Sequence, residues 1–251
     1  MNLLKTYTIQ TSQADTFLVY WTNSSIRPGG LLRVRILPQI QDPQIAAELA
    51  ALQYLLEEEQ VIGNNLSGNP FTRLYVSQGA IRKLQHKKSG KAHLAPYANF
   101  LATRFAGCPL IVDKDSRWFE GFTPDSVEEL RVEEPCWETI KFTGLGDVAV
   151  TRHVLERIAD RFLPEAASDR MASTAWKKLL ETAADPALRE IPCQSSWKAV
   201  KYAQQGKQEG RYFLHPHRKL VLVVTDNPGE GKRLVTAYPT NEQLHQLCKV
   251  A

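Results

Sequence analysis

Between positions 151 and 162 the chain reads Thr-Arg-His-Val-Leu-Glu-Arg-Ile-Ala-Asp-Arg-Phe. His153, Arg157 and Arg161 stand at i, i+4 and i+8, so a helix would stack one imidazole and two guanidiniums along a single stripe. Val154, Leu155, Ile158, Ala159 and Phe162 recur at helical spacing and make an apolar face beside that stripe. An imidazole titrates near neutrality and can take or give a proton. A guanidinium stays charged and offers phosphate a two-pronged donor. The combination suits cutting a phosphodiester, with His153 as acid or base, Arg157 as the phosphate clamp and Arg161 as a second clamp. The same pattern also suits an ordinary surface helix with its polar side in water.

Metal-free RNA cleavage uses the ribose 2′-hydroxyl as nucleophile. It needs a group to accept that proton, a proton for the leaving oxygen, and fixed cations for the charge that builds on the phosphoryl oxygens. Thr236 and Tyr238, two residues apart on the last expected strand, bring hydroxyls to one face. Lys198, Lys201 and His215 are secondary candidates for catalysis or phosphate binding. Blander roles suit several of these residues equally. His153 fits a local hydrogen bond at a helix start, Arg161 an ion pair, and Tyr238 a core ring. His215 and His217 flank Pro216 as turn residues, and a metal site there lacks further ligands at useful spacing. Gly229-Glu230-Gly231-Lys232 has neither the length nor the strand-to-helix context of a phosphate-binding loop. No metal and no cofactor is expected.

The elements that would carry these residues can be read in order. Strands are expected at 5–12, 16–22 and 31–37, the last with Arg33 and Arg35 on one face. A helix begins after Asp42, with Asp42 as N-cap and Pro43 at the first helical position, and runs to Leu56. A strand at 73–76 precedes a helix at 80–87, a basic loop (Lys87, Lys88, Lys91), a helix at 94–105 and a short strand at 109–112. Residues 113–147 are acidic yet contain Trp118, Phe119, Phe122 and Trp137, which argues for a packed connector and against a disordered tail. Gly144 and Gly146 mark its end. Then come helices at 151–162 and 173–182, and strands at 197–202, 211–215, 220–225 and 232–238. A short helix capped by Thr240 ends the chain. Helices followed by antiparallel strands make an α+β domain.

Two family resemblances follow. Ala47-Glu48-Leu49-Ala50-Ala51-Leu52, after three strands and before an alternating strand and helix, resembles the first helix of the ribonuclease H fold. That likeness covers about residues 3–113 and implies an α/β domain whose Glu48 position is a metal ligand. The companion acids are absent. The first-strand aspartate would fall near Thr11-Ser12 or at Asn23, and the later one at Ser77 or Gln78. One glutamate cannot hold paired hard cations, so the domain is expected to lack ribonuclease H catalysis, with Glu48 a solvated or capping helix residue. Residues 148–242, with a His-x-x-x-Arg helix and a final Val235-Thr236-Ala237-Tyr238 strand, resemble the metal-independent ribonucleases of the barnase, EndoU, colicin and RelE-like toxin superfamily. That likeness implies the roles given above for His153, Arg157, Thr236 and Tyr238.

Composition agrees with a soluble protein. Hydrophobic residues make up 43% and charged residues 23%. No apolar run reaches membrane-spanning length and no signal-peptide core follows Lys5. Cys108, Cys136, Cys193 and Cys248 are widely spaced, which fits reduced thiols in a cytoplasm. Residues 1–112 carry 11 Lys/Arg against 6 Asp/Glu, residues 113–147 carry 4 against 10, and residues 148–251 carry 16 against 11. Two basic regions flank an acidic middle and make a nucleic-acid partner reasonable. Arg33, Arg35, Arg82, Lys83, Lys87 and Lys88 are the candidate nucleic-acid contacts of the first region.

The expected organisation is therefore a non-catalytic ribonuclease H-like domain at 1–113, an acidic connector at 114–147, and a barnase/RelE-like domain at 148–251. The expected function is a cytoplasmic, toxin-like, metal-independent endoribonuclease with RNA and an inhibitor or antitoxin protein as partners. The alternative is a non-enzymatic module that binds nucleic acid or protein in a mobile element or toxin–antitoxin-like system. The acidic connector is a further candidate for covering the basic site until a partner removes it.

Overall fold

A computed structural model of the chain describes residues 2–23, 29–63, 71–124, 126–163, 171–192, 210–227 and 231–239. Among these the protein is mixed α/β, with two six-stranded mixed sheets and five α-helices. It divides into two compact units, Met1–Trp137 and Glu138–Ala251.

In the first unit β1 (Asn2–Gln10), β2 (Thr16–Thr22) and β3 (Gly30–Ile36) form an antiparallel meander. Leu4, Val19, Leu32 and Val34 point inward and alternate with outward residues, the period-two signature of a strand with one face in the core. Next come α1 (Pro43–Glu57) and β4 (Thr72–Val76), which runs parallel to β1. Then β5 (Leu110–Val112) joins β4, and β6 (Glu128–Val132) joins β3, both in parallel. The order across the sheet is β5-β4-β1-β2-β3-β6. Fully buried Ala46, Leu49, Leu52 and Leu55 lock α1 onto the sheet.

The helix expected at 80–87 is α2 (Gly79–Gln85). The one expected at 94–105 is broken into a 3-10 turn, Ala92–Leu94, and a single α-turn, α3 (Asn99–Ala102). Pro96 has no N–H to extend a helix, and the Thr103 hydroxyl donates to the Asn99 carbonyl at 2.8 Å. The acidic segment 114–147 is shared between the units. Its 3-10 turn Arg117–Phe119 stacks Phe119 on Tyr20 at 4.2 Å in the first sheet, and β6 follows.

The rest of that segment opens the second unit as a hairpin, β7 (Thr139–Phe142) and β8 (Gly146–Val150). Gly144 and Gly146, which read as linker glycines, lie in its turn and at the first residue of β8, with φ of +77° and +78° that only glycine adopts without strain. Then come α4 (Arg152–Phe162) and α5 (Met171–Ala183). The strands β9 (Arg189–Ile191), β10 (Gly210–His215), β11 (Leu220–Asn227) and β12 (Gly231–Pro239) complete the sheet, in the order β7-β8-β12-β11-β10-β9. The sheet is mixed, not purely antiparallel, because β8 pairs in parallel with β12. Val154, Leu155 and Ile158 of α4 pack with Trp176 and Leu179 of α5 over Leu222, Leu234 and Ala237. The strand expected at 197–202 and the helix after Thr240 lie outside the described residues. Among the described residues no helix is long and apolar enough to cross a membrane.

Candidate functional site

The α4 stripe starts where the helix is pinned to the sheet. Thr151, at the N-cap, spends its hydroxyl on the Leu234 carbonyl of β12 at 2.9 Å and caps no helical N–H. His153 follows on the exposed side, with its side chain about 48% exposed. Its Nε2 accepts from the Arg157 Nε at 3.3 Å, and its Nδ1 lies 3.9 Å from Glu156. An imidazole nitrogen accepts only when it carries no proton, so this contact suits the tautomer with its proton on Nδ1, toward Glu156. Glu156 also receives the Arg152 Nε at 2.7 Å. Two turns on, Arg161 donates to the Ala237 carbonyl at 2.7 Å, and its guanidinium sits 5.3 Å from the centre of the Tyr238 ring. The stripe thus carries two local groups, His153–Arg157 at its start and Arg161–Tyr238 at its end.

Thr236 and Tyr238 share a face, but it is not the face that α4 covers. Thr236 pairs with Val223 and Tyr238 with Val221, and those valines belong to a small cluster with Tyr212 and Leu214 on the far side of the sheet. The cause is a bulge. Val223 faces Thr236 while Val224 faces Leu234, so Val235 is an extra residue that reverses the alternation. Thr236 is also 6% exposed. Of the two hydroxyl residues, Tyr238 is the one in contact with the stripe.

His215 lies elsewhere and is 1% exposed. Its Nδ1 accepts from the Arg218 backbone N–H at 3.2 Å, and the Asp185 carboxylate stands 2.9 Å from Nε2. The Ala187 N–H and His215 together hold the Asp185 carboxyl below its usual range. His217 is exposed, its ring 6.2 Å from that of His215. Lys198 and Lys201 lie outside the described residues.

The basic residues of the first unit form separate groups. Arg33 and Arg35 are on the outer sheet face, paired with Glu129 at 3.0 Å and Asp15 at 2.8 Å. Arg82 and Lys83 are exposed on α2, and Lys87 and Lys88 follow in the turn after it. Lys91 pairs with Asp42 at 2.5 Å, and Asp42 stands at the N-cap of α1 without making a side-chain cap.

Glu48 is the residue most at odds with expectation. It is neither solvated nor a cap but fully buried. Its carboxylate accepts from the Thr6 hydroxyl at 3.0 Å, the Ser77 N–H at 2.6 Å and the Ser77 hydroxyl at 2.7 Å. Burial dominates those bonds and pushes its pKa up to about 7. Thr8, also buried, has a hydroxyl without a partner on the same strand. The β1 residue that faces Glu48 is therefore Thr6, not Thr11, Ser12 or Asn23. A sequence signal existed, since Glu48 is the sole charge between Pro43 and Leu56 in a helix apolar on nearly every side, and such helices are buried. Among the described residues no three His, Cys, Asp or Glu side chains converge as a metal site. Neither protein-family models, nor curated proteins, nor solved structures give a match to this chain.

Proposed function

We propose that the second unit is a metal-independent endoribonuclease whose working group is His153 with Arg157, attached to a first unit that resembles ribonuclease H without its catalysis. The observation that carries the proposal is the 3.3 Å bond from Arg157 to His153, which sets an imidazole beside a guanidinium on an exposed helix turn. In the proposed step the 2′-oxygen bonds to phosphorus and gives its proton to Nε2 of His153. Arg157 turns from the imidazole to the phosphoryl oxygens, where charge is building. The bond from phosphorus to the 5′-oxygen breaks, and that oxygen takes a proton from water. The products are a 2′,3′-cyclic phosphate and a 5′-hydroxyl. Arg161, stacked at Tyr238, supplies a second cation further along the same stripe. Thr236 is buried on the opposite face and takes no part.

The strand order β5-β4-β1-β2-β3, with β2 reversed and α1 on one face, supports the ribonuclease H-like reading of the first unit. The side chains that meet Glu48 from β1 and from the end of β4 are hydroxyls, Thr6 and Ser77, and not carboxylates, which supports a non-catalytic role. The second reading, a binding module without chemistry, draws on the separation of Thr236 from the stripe. Incubating the full chain with mixed-sequence RNA in EDTA decides between them. Cleavage to cyclic-phosphate ends, lost in His153→Ala, supports the ribonuclease. Intact RNA at stoichiometric protein leaves the binding module.

A further inference from the structure

The outer face of the first sheet, away from α1, carries two rows of side chains fixed by strand register. Ile9, Leu18, Arg33 and Glu129 lie side by side across β1, β2, β3 and β6. Thr16, Arg35 and Arg131 form the next row. From Leu18 and Thr16 to Glu129 and Arg131 these rows line an open cleft of about 410 Å³, edged by the polar turn at Thr11, Ser12 and Gln13.

The second row sets two like charges directly opposite. Arg35 and Arg131 are register partners on strands about 4.8 Å apart, where like charges repel unless an anion joins them. Asp15 takes the Arg35 Nε at 2.8 Å and Glu129 takes the Arg33 Nη1 at 3.0 Å. Each guanidinium fork keeps further donors for another acceptor. Arg131 has no carboxylate partner among the described residues, so three guanidiniums face two carboxylates. Asp15 stays ionised, since the hydrogen bond from Arg35 holds its carboxyl below the usual range. The neighbouring row is apolar at Ile9, 39% exposed, and at half-buried Leu18.

A charged row beside an apolar row fits a polymer that alternates phosphate with flat, weakly polar bases. Guanidinium planes take both phosphate and stacked bases. We propose that this cleft binds the backbone of single-stranded RNA, with Arg131 as its uncompensated phosphate contact. The proposal rests on RNA being the chain's substrate and assigns the first unit the task of holding it.

The test uses the full chain and a fluorescein-labelled 2′-O-methyl oligoribonucleotide, which lacks the nucleophile and cannot be cut. Anisotropy titrations across a salt series compare wild type with Arg131→Glu and Arg131→Lys. Arg131→Glu breaks no ion pair of the described residues, and its melting curve serves as a folding control. The expected result is about tenfold weaker binding in Arg131→Glu with a salt slope smaller by about one, and near-wild-type binding in Arg131→Lys. Affinity of Arg131→Glu within twofold of wild type, or no binding by the wild-type chain, overturns the proposal. Cleavage is scored separately. Binding lost in Arg131→Glu, with no cleavage by wild type, overturns the ribonuclease and keeps the cleft. Cleavage by wild type, with unchanged binding in Arg131→Glu, does the reverse.

Discussion

Replacing Glu48 by glutamine should stabilise the first unit at alkaline pH, although it removes a charge that three hydrogen bonds support. The carboxylate is completely buried under α1, and desolvation outweighs the donors from Ser77 and Thr6, so its pKa stands at about 7 against an ordinary 4.5. The sign follows from linkage. Below 4.5 both folded and unfolded chains hold the proton, and Glu48 contributes no pH dependence. Between 4.5 and about 7 the unfolded carboxyl ionises while the folded one does not, so stability falls as pH rises. Above that window both states are ionised and the loss is complete. At roughly 1.4 kcal/mol per pH unit, the full loss is about 3 kcal/mol.

Glutamine keeps the shape and never ionises. Its carbonyl accepts from the Ser77 N–H and the Thr6 hydroxyl, and the Ser77 hydroxyl rotates to accept from the new amide. The Glu48→Gln chain should therefore match wild type near pH 4.5 and exceed it by about 3 kcal/mol at pH 8, a shift of about 1–2 M in the urea midpoint. Pulse proteolysis across a urea series, scored on fragments of residues 1–137, reads this unit apart from the second. A gap that stays constant with pH, or a variant less stable than wild type at pH 8, would show that the hydrogen bonds outweigh desolvation and refute the argument.

In the second unit, His153→Ala and Arg157→Ala should each reduce RNA cleavage by about a hundredfold or more, the usual weight of an acid–base group or a charge stabiliser. Rates measured with and without EDTA should agree. Arg161→Ala removes both the bond to the Ala237 carbonyl and the stacking at Tyr238, and thermal melting should report a loss of about 1–2 kcal/mol. Asp185 has a depressed pKa, so its contribution is present above its ordinary 3.8 and disappears as pH falls. Acid unfolding of the second unit, followed by circular dichroism, should become less steep below that pH in Asp185→Asn.

The parts legible in the sequence are those set by local repetition. Val154, Leu155 and Ile158 announce α4 and its buried face within eleven residues, and the alternation of β2 and β3 does the same for their inward sides. The place of Glu48 is not legible because its surroundings come from far away, Thr6 being 42 positions distant and Ser77 29. Helical spacing records that a residue shares a face with Leu49 and Leu52. It does not record which hydroxyls the sheet will bring beneath it. Arg131 lies in an acidic segment of the sequence, and only the parallel pairing of β6 with β3 sets it opposite Arg35.

The last strand shows how little separates the two outcomes. Strict alternation puts Leu234, Thr236 and Tyr238 on one face, and Leu234 is in the core beneath α4. A single extra residue, Val235, turns Thr236 and Tyr238 to the other side, since a one-residue shift reverses every side chain beyond it. Bulges tend to occur where a side chain is re-aimed next to a site. Here the bulge carries the Tyr238 ring to the end of β12, where Arg161 reaches it beside the Ala237 carbonyl. Deleting Val235 restores the alternation and brings both hydroxyls under the helix. If Tyr238 serves through its contact with Arg161, that deletion should abolish cleavage while the sheet still forms. Cleavage left intact or raised would show that the contact between Tyr238 and Arg161 takes no part.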